Sequence, residues 1–228
     1  MTTAPSLLED VQRLLVRTYK MRSVVSGLGR FVIGDRAYRR LYREVRAAAI
    51  PSSGPEPRAK TLIRETDEGV RACIYYPDEL IRCLEEHPPQ HGLREANVDA
   101  FATLVEELDH LLCIADRAAQ GRPLSLFELE LHANVSKHLV LSRFLAGAGR
   151  AGLGSRKRQW LRYHLFGEGT YSDEDEESRR RYRDAARWAV RFLDALGTLS
   201  VGKRIEALRH FHHAHVSGKM DLIHRVAA

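Results

Sequence analysis

The stretch "FATLVEELDHLLCIADRA", from Phe101 to Ala118, decides the fold of this chain. Apolar residues recur along it at helical spacing and form one broad stripe on a helical wheel. In its second half, residues 111–115 are all non-polar, and at about 100° per residue they cover nearly every direction around the helix axis. The sequence therefore predicts a long helix whose C-terminal half is enclosed by protein.

Three polar residues, Glu106, Glu107 and His110, lie opposite the apolar stripe of this helix. Taken alone, that position predicts a solvated face. However, His110 directly precedes the enclosed section, so the three side chains are also expected to face an enclosed cleft. Buried ionisable groups need partners, and a divalent cation is one such partner.

The spacing of these residues suits a metal ion. Glu106 and His110 are four residues apart and share one face, while Glu107 is placed to reach a metal-bound water. A third ligand must come from another helix, and Glu130 in "FELELHANVSKHL" is the candidate, with His132 and His138 as substitutes. The sequence thus predicts one divalent ion, which is zinc, manganese or iron.

The rest of the chain predicts a predominantly helical α+β fold. Helical spacing covers residues 7–19, "RFVIG" predicts a short strand, and Asp35 is placed to cap the helix that follows it. "KTLIRE" and "VRACIYY" flank "TDEG", which indicates a β-hairpin. "IPSSGPEPRA" predicts a surface loop. A small hairpin or sheet is therefore expected to pack on the central helix.

The C-terminal half is predicted to be helical. Ser125 and Glu128 form a capping box for a helix that continues to about residue 145. "SRKRQWLRYHLF" predicts another helix, a further one is expected to begin at Ser172, and a last one to cover residues 203–226. We expect residues 1–150 to form an α+β core and residues 151–228 a helical extension packed on it as one unit.

A hairpin, a helix with "VEELDH" and a second helix with "ELHAN" together resemble the zincin metallopeptidases, particularly the ImmA/IrrE type. The similarity covers about residues 61–145, so the core is expected to be zincin-like. The family pattern is an HExxH helix with two histidine ligands and a glutamate base, followed by a helix with a glutamate ligand. The resemblance implies metal-dependent peptide hydrolysis.

Carried onto this sequence, Glu106 stands in the place of the first histidine, Glu107 in that of the catalytic base, and His110 in that of the second histidine. Glu130 occupies the downstream ligand position. The missing histidine matters, because two carboxylates offset the charge of a metal ion more completely and weaken its activation of water. The chain is therefore expected to be either a metal-dependent hydrolase or a degenerate relative.

Other patterns support other interpretations. Glu107 and His110 match the ExxH spacing of ferritin-like di-iron bundles, although the motif appears only once in a good helix. The tract "RHFHHAHVSGKMDLIH", which contains the His210–His215 cluster, predicts a solvated or interface group that also binds nickel or zinc adventitiously. Asp109, Asp116 and Arg117 are expected to form surface ion pairs, and Cys113 to be inert packing.

The basic segment "SRKRQWLRYHLF" suggests a binding surface for a partner and not a catalytic site. Its charges could contact phosphates while Trp160 and Tyr163 stack on bases, or the aromatic rings could pack inward. The charged residues are Arg156, Lys157, Arg158 and Arg162. The alternative function is thus a non-enzymatic binding or scaffold protein with a protein, peptide or nucleic-acid partner. Arginine contacts to the glutamates of the predicted metal site would favour that alternative.

Composition sets the broad class. The 228 residues carry a formal charge of +6, and only six of the 36 basic residues are lysines. Three cysteines without CxxC spacing predict neither disulfides nor a thiolate zinc site. The sequence shows no signal peptide and no membrane-length apolar run, so a cytoplasmic protein without membrane contact is expected.

Overall fold

The long helix predicted around residues 101–118 is present as the centre of the molecule. The computed structural model describes residues 6–23, 25–46, 58–67, 69–147, 153–167 and 176–227. Over these ranges it has nine α-helices and one three-stranded sheet, which confirms a predominantly helical α+β fold. None of the helices within these ranges combines the length and apolar character needed to cross a membrane.

The N-terminal half contains the whole sheet. Its helices and strands are α1 (Leu7–Tyr19), β1 (Val32–Ile33), α2 (Asp35–Arg46), β2 (Lys60–Thr66), β3 (Gly69–Tyr75) and α3 (Asp78–Glu86). Short 3-10 turns cover Leu28–Phe31 and Pro89–His91.

The predicted hairpin is confirmed, since β2 pairs antiparallel with β3 across the "TDEG" turn and Thr61 lies opposite Ile74. β1 pairs parallel with the other side of β3, so β2 is an edge strand. Asp35 begins α2, and its carboxylate accepts a hydrogen bond from the Tyr75 hydroxyl, 2.7 Å away. Most of the predicted "IPSSGPEPRA" loop lies outside the described residues.

Two long helices form the core of the fold: α4 (Val98–Ala119) and α5 (Leu126–Ala146). α5 begins with the predicted capping box, in which Ser125 and Glu128 each bind the other's backbone N–H. α4 packs against α1, α5 and the sheet, and residues 107–113 are all buried. The predicted enclosure of α4 is therefore present, and it begins one turn earlier than the apolar run.

Four helices follow: α6 (Ser155–Phe166), α7 (Glu176–Thr198), α8 (Val201–His213) and α9 (Val216–Ala227). The prediction of one last helix over residues 203–226 is wrong, because Ala214 is extended and separates α8 from α9. Two buried cations stabilise the break: the Arg117 guanidinium and the Lys219 ammonium both donate to the Ala214 carbonyl. The predicted start of α7 at Ser172 lies outside the described residues.

One hydrophobic core runs through both halves of the chain. It contains buried side chains from α1, α4, α5, α6, α7 and α8, for example Val11, Leu108, Val135, Leu161, Phe192 and Phe211. The C-terminal helices thus pack on the same core as α4 and α5. The division at residue 150 stays a prediction.

Candidate metal centre

The contact between α4 and α5 brings the three predicted metal ligands together. Glu106 and His110 lie one turn apart on α4, and Glu130 faces them from the first half of α5. One ligand atom from each of the three lies within 4.8 Å of the others. Together with Glu107 and Lys137, we call these residues the carboxylate cluster. Its position on two packed helices gives it a rigid frame.

Two atoms of this cluster are buried without a hydrogen-bond partner among the described residues: His110 Nε2 and Glu130 Oε2. They lie 3.9 Å apart, which is too long for a hydrogen bond. Buried polar atoms are satisfied in the great majority of cases, so an unpaired donor or acceptor needs an explanation. Here two such atoms face one space between α4 and α5.

Glu107 is held on the opposite side of the His110 ring. The Thr61 hydroxyl of β2 lies 2.8 Å from Glu107 Oε2 and 3.1 Å from the Glu107 carbonyl, and it can donate to either. Glu107 Oε2 is in turn 3.6 Å from His110 Nδ1. A carboxylate beside one imidazole nitrogen fixes the ring orientation and leaves the other nitrogen to face a ligand. In this way β2 positions His110.

Lys137 of α5 contributes a positive charge to the cluster. Its ammonium donates to Glu106 Oε2 over 2.6 Å, and both side chains are largely shielded from solvent. Burial alone would raise the pKa of Glu106, but the charges of Lys137 and His110 outweigh it and lower that pKa. Glu106 is therefore ionised, and its contact is with a lysine where the scaffold interpretation expected arginines.

The other two groups have strongly shifted pKa values. Burial lowers the pKa of His110, but the nearby carboxylates of Glu107 and Glu130 oppose this and raise it to about 9. Burial raises the pKa of Glu130 to about 7, and the neighbouring Glu106 adds to that effect. Without a metal ion, His110 is thus an imidazolium at neutral pH and Glu130 is partly protonated.

The predicted substitute ligands lie elsewhere. His138 packs on the Phe166 ring, and burial lowers its pKa to about 4, with the Arg162 charge as a further cause. His132 points into a separate group with Cys113 and His212. Glu130 is therefore the residue of α5 that completes the carboxylate cluster.

One prediction about α4 is wrong. Asp109, Asp116 and Arg117 are buried, with exposures of 0%, 1% and 4%, and do not form surface ion pairs. Cys113 is buried in the core, where burial raises the pKa of its thiol, and its Sγ lies 3.2 Å from His132 Nδ1. The cause is that α1 packs against α4 and that His212 of α8 contacts Asp116 and Arg117 near the end of α4. The spacing of Asp109, Cys113 and Asp116, at i, i+4 and i+7, was a signal that they share one face.

The histidine-rich tract divides in two. His210 and His215 are exposed as predicted, but His212 is 2% exposed and points into the protein. Helix α8 has one face toward α1 and the end of α4, and His212 lies on that face. A solvated cluster is therefore the wrong interpretation for His212.

The basic segment on α6 is partly exposed. Arg156, Lys157 and Arg158 are exposed, and Tyr163 keeps 71% of its surface. Trp160 is half-buried and donates to a carboxylate oxygen of Glu95. Arg162 pairs with Asp194 of α7. One of the two aromatic rings thus packs inward and the other faces solvent.

A cavity of about 630 Å³ lies between α7 and α9 and is lined by Arg187, Arg191 and Asp194 among others. None of its lining residues belongs to the carboxylate cluster.

Comparison of the chain with protein-family models, with curated proteins and with solved structures finds no match.

Proposed function

We propose that this chain is a zincin-like protein that binds one divalent metal ion through Glu106, His110 and Glu130. The observation that carries the proposal is the pair of unpartnered buried atoms, His110 Nε2 and Glu130 Oε2, 3.9 Å apart. Metal bonds to imidazole nitrogen and carboxylate oxygen are about 2.0–2.2 Å long. A single ion between the two atoms is within bonding distance of both, and it gives each the partner it lacks.

The charges of the cluster also favour a divalent ion. Glu106, Glu107 and Glu130 supply three carboxyl groups, against one ammonium from Lys137. When His110 is protonated, the cluster still has one negative charge in excess. Without a metal ion, that charge is neutralised only when Glu130 takes up a proton. A divalent ion that replaces the His110 proton balances the three carboxylates and Lys137. Buried charges are stabilised when they are paired in this way.

The donor set indicates which chemistry the ion supplies. Two carboxylates and one imidazole favour manganese or iron as well as zinc, because oxygen donors are hard ligands. They also reduce the ion's charge, so its activation of a water molecule is weak. Glu107, the predicted base, is occupied by Thr61 and by the His110 ring. We therefore propose metal binding as the function and peptide hydrolysis as an activity to be tested separately.

The test is metal content in protein purified without a histidine tag or nickel resin. After chelation and separate reloading with zinc, manganese or iron, Glu106→Gln combined with His110→Gln is expected to lose one metal equivalent per chain. The matched control is Glu206→Gln with His210→Gln, an exposed glutamate–histidine pair with the same spacing on α8. An equal loss in both double variants, or no metal in the unaltered protein, overturns the proposal.

The same preparations test hydrolysis. Cleavage of an unstructured peptide by the loaded protein, abolished by Glu107→Gln with the metal retained, would make the chain an enzyme. Absence of cleavage with metal present is the result expected of a degenerate zincin-like protein.

The alternative is a scaffold in which Lys137 takes the place of the metal ion. The 2.6 Å contact between Lys137 and Glu106 supports it, and the exposed Arg156, Lys157 and Arg158 offer a surface for an acidic partner or nucleic acid. This alternative expects no metal. It also expects salt-sensitive retention on heparin or RNA that falls when the three charges of α6 are neutralised.

A further inference from the structure

A second polar group lies on another face of the same two helices. Four side chains form a continuous hydrogen-bonded series, which we call the histidine chain: Asp109, His132, His212 and Asp116. His132 Nδ1 is 2.8 Å from Asp109 Oδ2, and His212 Nε2 is 3.0 Å from Asp116 Oδ2. Between them, His132 Nε2 and His212 Nδ1 are 3.0 Å apart. All four residues are at most 3% exposed.

The surroundings of Asp116 fix where the protons of the chain lie. The backbone N–H groups of Arg22 and Ser23 donate to its Oδ1, and the side-chain amide of Gln120 donates to its Oδ2. A carboxylate that accepts these donors is ionised. It therefore accepts, rather than donates, in its bond to His212, and His212 Nε2 carries a hydrogen.

The same reasoning applies at the other end. Asp109 is buried beside His132, and an ionised Asp109 accepts the hydrogen of His132 Nδ1. With both outer nitrogens protonated, the two inner nitrogens of the neutral imidazoles each present a lone pair. Two acceptors then face one another across 3.0 Å in the protein interior, so a cation must lie between them: either a proton, which makes one imidazole an imidazolium, or a metal ion.

This arrangement matches that of histidines that bind metals. A metal-binding imidazole typically donates its other N–H to a carboxylate, which fixes the tautomer and the ring orientation. Here both histidines do so, each with its own aspartate. The Tyr19 ring adds to the fixed geometry, since it lies 4.4 Å from the His132 ring and 5.4 Å from the His212 ring.

Cys113 offers a third ligand, although its Sγ now contacts His132 Nδ1 over 3.2 Å and has to turn toward Nε2 to bind an ion there. Cys113 Sγ is buried on α4, and one ligand atom from each of Cys113, His132 and His212 lies within 4.8 Å of the others. We propose that these three residues hold a zinc-class divalent ion, with Asp109 and Asp116 as the carboxylates that orient the two imidazoles. Two nitrogens bound to one tetrahedral zinc ion lie roughly 3.3 Å apart, so the observed spacing needs to widen by only a few tenths of an ångström.

The buried charges nearby agree with such an ion. Asp109, Asp116 and Glu128 are negative, while Arg117 and Lys219 are positive, and all five are at most 6% exposed. One negative charge is in excess. A divalent ion that displaces the Cys113 proton brings two positive charges and one thiolate, and the group becomes neutral.

The ion would join parts of the chain that are far apart in sequence. Cys113 lies on α4, His132 on α5 and His212 on α8, so a bound metal fixes the C-terminal helices to the central pair. The ligands are two nitrogens and one sulfur, in contrast to the two oxygens and one nitrogen of the carboxylate cluster. The two sites are thus chemically distinct and can be tested independently.

Cobalt(II) substitution tests the site through its sulfur ligand. Protein that carries Glu106→Gln and His110→Gln is expected to bind one cobalt ion and to show sulfur-to-cobalt charge-transfer absorption in the near ultraviolet. Adding Cys113→Ser is expected to abolish this absorption. Adding Cys73→Ser, at a half-buried cysteine of β3, is the matched control and is expected to preserve it. Absorption that is absent, or unchanged by Cys113→Ser, overturns the proposal.

X-ray absorption at the zinc edge provides a measurement that leaves the histidine chain unaltered. In the same Glu106→Gln and His110→Gln protein, the expected spectrum has one sulfur neighbour at about 2.3 Å and nitrogen neighbours at about 2.0 Å. A spectrum with only oxygen and nitrogen neighbours overturns the proposal, as does zinc-free protein with a proton shared by His132 and His212. This expected spectrum does not depend on metal binding at the carboxylate cluster, so either proposal can be wrong while the other holds.

Discussion

The carboxylate cluster and the histidine chain share α4 and include neighbouring residues, His110 and Asp109, yet they differ in kind. In the carboxylate cluster, the Glu106 side chain keeps 24% of its surface and two ligand atoms lack partners. In the histidine chain, exposure is at most 3% and polar contacts of 2.8–3.0 Å run from one aspartate to the other, although Asp109 Oδ1 has no hydrogen-bond partner among the described residues. A helix that is enclosed on several sides can thus carry one polar group that is partly exposed and another that is fully buried.

The difference follows from what covers each face of α4. The carboxylate cluster lies under β2, an edge strand, and beside the middle of α5. The histidine chain lies under α1 and α8, where Phe211 stacks on the His132 ring and the Tyr19 ring packs against it at a tilt. We therefore expect the histidine chain to matter most for stability and the carboxylate cluster to exchange protons and metal more readily.

The largest expected effect is on stability, from Asp116→Ala. This change removes the acceptor for His212, for two backbone N–H groups and for the Gln120 amide, and it leaves His212 buried without that partner. A hydrogen bond to a charged group contributes about 1.5–3 kcal/mol, and several such bonds are lost together in this variant. Urea denaturation in the presence of a chelator measures it.

The control for that measurement is Asp221→Ala, which removes an exposed carboxylate of α9 and is expected to change the free energy of unfolding by less than about 0.5 kcal/mol. Equal losses in the two variants would show that the histidine chain is no more important to stability than the surface.

The sequence was sufficient to predict one of these two regions. Residues 111–115 showed that α4 is enclosed, and the spacing of Glu106 and His110 with the "ELHAN" helix led to Glu130. The histidine chain was missed because His132 and His212 are 80 residues apart and meet only through the packing of α8. The break after α8 was missed for a related reason, since it depends on Arg117 and Lys219, which approach from elsewhere in the chain.

The next effect concerns pH. Because the pKa of His110 is raised to about 9, a metal ion at the carboxylate cluster must displace its proton at any pH below that value. Each pH unit then costs about tenfold in affinity, so binding is expected to tighten at least about a hundredfold from pH 6 to pH 8. Zinc titration of the Cys113→Ser variant isolates this site. Affinity that is independent of pH would show that His110 is not a ligand.

A smaller gain is expected from Lys137→Met. The ammonium of Lys137 is 2.6 Å from Glu106 Oε2 and competes with a metal ion for that oxygen. Its removal is expected to tighten metal binding about tenfold, or about 1.4 kcal/mol. Lys203→Met, at an exposed position of α8, serves as the control and should leave the affinity unchanged. Weaker binding in Lys137→Met would mean that the lysine supports the site.

The smallest effect is expected from Thr61→Val on β2, which separates the role of the sheet from that of the two helices. The valine keeps the shape of threonine but lacks the hydroxyl that lies 2.8 Å from Glu107 Oε2. Loss of this hydrogen bond is expected to cost about 1 kcal/mol of stability. It should also weaken metal binding at the carboxylate cluster a few-fold, because Glu107 then holds the His110 ring less firmly.

Thr103→Val, at a half-buried threonine of α4 whose hydroxyl donates within its own helix, is the control. A loss of metal affinity in Thr61→Val but not in Thr103→Val would show that the edge strand positions the histidine, whereas equal affinities would confine the site to α4 and α5.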